Sequence, residues 1–197
     1  MPRQRAASTV SAMAITAKGA GTFASLRGAT GFPSGAVNPA AASAGGTAYG
    51  SGGSVPGAIP WSNTASKSTN LARMSAAGST AGTLILYDRL WACTGFVGNS
   101  TTTQSVSSFP GLPARATGGE GVEAWLEWYT STGSTASNAT LTYQNQAGST
   151  GRTTVAAMTS SMIANQMLPL GFASGDSGVR APTSIKLSVS TGTAGAF

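Results

Sequence analysis

The chain has 197 residues, with 11 Lys or Arg, 5 Asp or Glu and no His, for a formal net charge of +6. The missing imidazole removes the usual general base, proton shuttle and metal ligand, and the single Cys excludes an internal disulfide or a cysteine-rich zinc site. Charged residues are 8% of the chain against about 25% in an ordinary soluble domain, and so neutral a surface fits a subunit covered by partners in an assembly.

At the N-terminus, Arg3 and Arg5 precede an Ala/Ser/Thr-rich stretch, Ala6 to Ala17, in loose imitation of a secretory signal. The stretch lacks Leu and Phe, so it reads as an uncleaved N-terminus. No run approaches the ~18 apolar residues of a membrane-spanning helix, and no membrane partner is expected.

Residues 1–80 are low in complexity, as in Ala40-Ala-Ala-Ser-Ala-Gly-Gly46 and Gly50-Ser-Gly-Gly-Ser54. Neither a 3.6 nor a 2.0 apolar period persists, and Pro33, Pro39, Pro56 and Pro60 interrupt it. Alone, such a segment buries too little apolar area to offset its ordering entropy. The sequence therefore reads as a mostly irregular arm laid across neighbouring subunits, the alternative being long loops packed on its own domain. Its cations, Arg3, Arg5, Lys18, Arg27, Lys67 and Arg73, all precede the first carboxylate, Asp88. Beyond that point five basic residues meet five acidic ones, so the whole net charge lies in the arm. An acidic partner is implied, but the cations are too sparse and unclustered for a dedicated nucleic-acid arm, which argues against direct nucleic-acid binding. These six cations and Trp61 are the candidate contacts of the arm.

Residues 81–197 read as a β domain. Leu84 to Trp91 is a compact apolar run suited to a buried strand. Val122, Ala124, Leu126 and Trp128 alternate with Glu123, Trp125, Glu127 and Tyr129, and Thr140–Gln144 and Ile185–Ser190 alternate as cleanly. Gly-rich turns at short spacing between such runs indicate an all-β antiparallel sandwich, jelly-roll-like fold or barrel. Seven strands are predicted, at 83–92, 102–109, 121–131, 138–146, 152–159, 166–172 and 183–191, with a short helix at 158–166 as a weaker feature. Trp91 and Trp128 fall in apolar patterns and read as core. Trp125 and Tyr129, on the mixed face, are candidate exposed contacts for a protein partner or a glycan. Cys93 reads as a small buried hydrophobe.

The motifs that could carry catalysis do not assemble. Gly175-Asp176-Ser177-Gly178 matches the tetrapeptide around a serine-protease nucleophile, yet that Ser needs a His base and the chain has none. It reads as a turn, for which Asp and Gly are suited. Glu123 and Glu127 on one strand face would lie roughly 13 Å apart, beyond the about 5 to 9.5 Å of glycosidase pairs. They read as a solvated or interface face near Arg115 or Arg152, and the adjacent Asp88 and Arg89 as an ion pair or strand-end anchor. Asn99-Ser-Thr and Asn138-Ala-Thr match the glycosylation pattern, with nothing else to suggest a secretory route.

Three blocks carry a resemblance: Leu86-Tyr-Asp-Arg-Leu-Trp-Ala-Cys-Thr-Gly-Phe, Gly121-Val-Glu-Ala-Trp-Leu-Glu-Trp-Tyr129 and Tyr143-Gln-Asn-Gln-Ala-Gly-Ser-Thr-Gly-Arg-Thr-Thr154. With Gly175-Asp-Ser-Gly-Val-Arg180 and Ser190-Thr-Gly-Thr-Ala-Gly195, residues 84–197 resemble a family of tailed-bacteriophage virion structural proteins. The resemblance implies a non-enzymatic particle component with no cofactor or metal. Its first expectation is a capsid decoration or cement protein on the capsid exterior, partnered by the major capsid protein and by copies of itself, as a homotrimer. The alternatives are a tail, collar or head-fibre component, or a receptor- or glycan-binding adhesin using Trp125 and Tyr129.

Overall fold

A computed structural model describes residues 83, 85–195 and 197, together with the backbone of 23–24 and 43–48. The described residues form nine strands, all paired antiparallel, and one 3₁₀ turn at Ala114–Ala116. In chain order the strands are β1 (Phe23–Ala24), β2 (Ser43–Ala48), β3 (Trp91–Thr94), β4 (Gln104–Ser105) and β5 (Trp125–Glu127). They are followed by β6 (Ser137–Asn145), β7 (Arg152–Met158), β8 (Gln166–Pro169) and β9 (Val179–Leu187). One sheet has the order β4-β9-β6-β7, a second β1-β8-β5, and β2 pairs with β3 in a third. The fold is all-β and of the β-sandwich type.

The four-stranded sheet follows from period-2 patterning. Along β6, Ala139, Leu141, Tyr143 and Asn145 are buried while Asn138 is exposed and Thr140, Thr142 and Gln144 are half-buried. On β9, Val179, Ile185 and Leu187 turn to the same core. Pro182 lies inside β9, where a strand proline costs a ladder donor. The register between β6 and β9 shifts beside it, between Thr142 and Tyr143, and β4 reaches only Ser184 and Ile185. Leu126 from the second sheet and Trp128, Met162 and Leu170 from its flanking loops complete one apolar cluster with the first sheet.

Both ends of β6 are closed by interlocked loops. At the Ser137 end, Phe96 and Phe197 exchange backbone hydrogen bonds, each 3.2 Å, and their rings stack at 6.0 Å with Trp128 5.7 Å from Phe197. Thr191 is buried there, and a Cβ on Gly133 would stand 1.9 Å from its carbonyl oxygen, so only Gly fits. At the Asn145 end, a Cβ on Gly178 would stand 1.9 Å from the Gly119 carbonyl oxygen.

Several sequence expectations are corrected. The strand expected at 83–92 is realised only as Trp91–Thr94; residues 85–90 are not part of any strand. Ile85, Leu86 and Tyr87 are 54%, 52% and 47% exposed, not buried. Trp91 is half-buried, its ring set edge-on against Phe109 at 5.2 Å. The expected helix at 158–166 is absent: Met158 ends β7, and Ser161 and Asn165 adopt left-handed φ of 55° and 66°, incompatible with a right-handed helix. The strands expected at 102–109 and 121–131 shrink to Gln104–Ser105 and Trp125–Glu127. Of the segment expected to be a mostly irregular arm, only 23–24 and 43–48 are described: Ser43–Ala48 forms a strand on β3 and Phe23–Ala24 pairs with β8, so these two arm segments join the sheets of their own chain.

Candidate interaction surface

Asp176 organises a polar cluster of four side chains among the described residues. The Tyr143 hydroxyl donates to its Oδ2 at 2.6 Å, Arg152 Nε to the same oxygen at 2.9 Å, and Asn145 Nδ2 to Oδ1 at 2.7 Å. Arg152 also donates to the Ser174 carbonyl, and the Ala173 amide donates to the Tyr143 hydroxyl. The Asp176 side chain is 3% exposed, and the Arg152 hydrogen bond, then that of Tyr143, lowers its pKa to about 2. Burial and the neighbouring Asp176 charge push the Tyr143 phenol up. Every partner is a hydrogen-bond donor already committed to the carboxylate, so the arrangement is a lock between the 173–178 turn and strands β6 and β7. The tetrapeptide at 175–178 lies in the loop between β8 and β9, its first residue in the turn that the Asp176 amide closes on the Ala173 carbonyl, with Gly175 at φ +85°. Ser177 contributes its amide to Gln146 Oε1 and its carbonyl to the Gly121 amide.

Glu123 and Glu127 do not form a pair. Glu123 precedes β5 and accepts the Trp125 indole N–H at 3.0 Å. Glu127 is ion-paired with Arg89 in a largely shielded setting. Neither meets Arg115 or Arg152: Arg115 binds Asp88 in a bidentate fork, at 2.7 and 2.9 Å, and Arg152 binds Asp176. Asp88 and Arg89 are accordingly not paired with each other; as chain neighbours pointing apart, each reaches a separate partner. Among the described residues no three His, Cys, Asp or Glu come together in a way that could hold a metal.

These pairs create a surface. Arg89 fastens the 85–91 run to Glu127 on β5, while Asp88 fastens it to Arg115 in the 3₁₀ turn. Immediately before these fastenings, Ile85, Leu86 and Tyr87 face solvent, three consecutive large apolar side chains. Consecutive exposed apolar residues of this kind mark an interaction site. Trp125 and Tyr129, the described members of the expected contact set, are half-buried; Trp125 lies in β5 with Glu127, and Tyr129 in the bend that follows it. The remaining members, Arg3, Arg5, Lys18, Arg27, Trp61, Lys67 and Arg73, lie outside the described residues. The apolar run was invisible as a surface in the sequence because an unbroken apolar stretch signals burial without naming what buries it. No helix among the described residues is long and apolar enough to cross a membrane.

No family model, no curated protein and no solved structure matches the chain.

Proposed function

We propose that this is a non-enzymatic virion structural protein, a decoration or cement subunit that binds the outer face of a capsid. The observation that carries the reading is the pinned, solvent-facing run Ile85-Leu86-Tyr87, placed where the basic N-terminal segment joins the β domain. Fixing such a run in place before contact lowers the ordering cost of docking, and covering each half-exposed side chain contributes on the order of 1 kcal/mol. The cation excess of residues 1–80 adds attraction to an acidic shell. Low charge over the whole chain accords with extensive coverage in an assembly. A subunit that binds only the assembled shell stabilises it by linkage, and repetition at every seam raises the barrier to rupture under internal pressure.

Leu86→Asp tests the reading more cleanly than removing residues 1–60, because that truncation would also delete β1 and β2 from the sheets. The variant should fold as the parent does and lose binding to intact particles in co-sedimentation. Imaging by cryo-electron microscopy should place the parent protein at every capsomer seam. Density at one vertex or along the tail would replace the reading with a collar, tail or fibre component. Undiminished capsid binding by the Leu86→Asp protein would sink the role of the run.

A further inference from the structure

The described sheets end in edges of very different quality. β4 and β1 have two residues each and β5 has three, too short to template another strand. β2 carries a register irregularity against β3. β7 is the exception: seven residues, in unbroken register with β6 from Arg152 to Met158, and, among the described residues, paired with a strand on one side only. Natural proteins guard such an edge with Lys, Pro, a bulge or a covering loop. β7 has no Lys, no Pro, no carboxylate and no bulge. Its exposed positions are Thr153, Val155 and Ala157, and Val155 at 61% is the most exposed of the large apolar side chains described.

We propose that β7 is a pairing edge for β7 of a second copy of this chain, joining two four-stranded sheets antiparallel across a two-fold axis at Val155. The occupant follows from the sequence of the strand itself. Val155 is its central residue, so the axis sets Val155 against Val155, and Thr153 of one copy faces Ala157 of the other. A two-fold contact needs one patch complementary to itself, and this row of small and β-branched side chains meets that condition without a steric or charge conflict. The strand's one charge, Arg152, sits at its end and is engaged by Asp176, so the two copies of it fall at opposite ends of the junction. A single seven-residue seam is smaller than the about 1,200 Å² of a standard stable interface, so the association is concentration-dependent and reversible. The proposal is independent of where the protein works.

Sedimentation equilibrium of the full chain over a concentration series should show a monomer–dimer transition. Because Val155 is exposed, V155K and V155D should fold normally, and each should raise the dissociation constant at least about tenfold by setting like charges face to face. Mixing the V155K and V155D chains should restore a dimer, an outcome that misfolding cannot mimic. Amide exchange of β7, but not of β6, should slow as the concentration of the parent rises. A parent protein that stays monomeric, oligomers that ignore both variants, or a mixture that fails to pair would each overturn the proposal.

Discussion

The two ends of β6 hold the sandwich together by opposite chemistry. Beyond Ser137 the closure is aromatic and apolar, with Phe96 stacked on Phe197, Trp128 tilted against it, and Thr191 buried beside Gly133. Beyond Asn145 it is ionic and hydrogen-bonded, with Asp176 receiving donors from three side chains on β6 and β7. Apolar closure is indifferent to pH and tolerates small shifts; the polar closure is directional, and each donor is lost with the charge that it serves. The difference separates what keeps the domain folded from what fixes the geometry of its turns.

Breaking each end in turn sharpens the contrast. Phe197→Ala should cost the most, about 3–5 kcal/mol of unfolding free energy in a denaturant titration, because the ring packs against two aromatic neighbours in the core. Gly178→Ala should follow at about 3 kcal/mol by the same measurement, since the added methyl collides with backbone rather than a movable side chain.

Acid should separate the ends without any mutation. The folded pKa of Asp176, about 2, lies below the ordinary value for Asp, so its contribution is complete above about pH 4 and is lost as pH falls through 2. Thermal melts between those limits should fall for the parent and lose most of that slope in Asp176→Asn. At the alkaline limit the sign reverses: the Tyr143 pKa is raised, so its contribution is present below about pH 10 and disappears as pH climbs through the folded value. Tyr143→Phe should flatten that alkaline limb.

Arg115→Ala should have the smallest effect on folding, about 0.2–1 kcal/mol, because its partner Asp88 is 61% exposed and an ion pair in water contributes little. Capsid binding should weaken more than stability does, because the run beside Asp88 loses one of its two fastenings. Equal binding by parent and variant in co-sedimentation would show that the fork does not position the run.

What could be read from the sequence follows the range of the interactions. β6 and β7 were legible because burial alternates residue by residue, and the turn around Gly175 because Gly and Asp announce it locally; β9 was legible only in part, since it spans Val179–Leu187 instead of 183–191 and its burial does not alternate around Pro182. The Asp176 lock was not, since its partners stand 24 to 33 residues away and no local pattern marks them. β2 escaped because Ser-Ala-Gly-Gly-Thr-Ala has little intrinsic strand preference and is held by pairing with β3. The run at 85–87 was read inside out, since hydrophobicity reports a need for cover and not its source. Of the candidate contacts, Trp125 lies in β5 and Tyr129 two residues past its end, and the link from that region to the run is the Arg89–Glu127 pair across 38 residues, which no local pattern marks.

The chain's single thiol offers a clock for the seating of β2. Cys93 lies in β3, whose paired neighbour is β2, and burial pushes its pKa up to about 12. Near neutral pH the closed protein therefore presents almost no thiolate to an alkylating reagent. Because Cys93 packs against the core, each opening of β3 from that core or from β2 that admits water would briefly return the sulfur to ordinary acidity, so the labelling rate counts those openings. A partner that clamps the N-terminal segment would slow the count, and one that draws β2 away would quicken it.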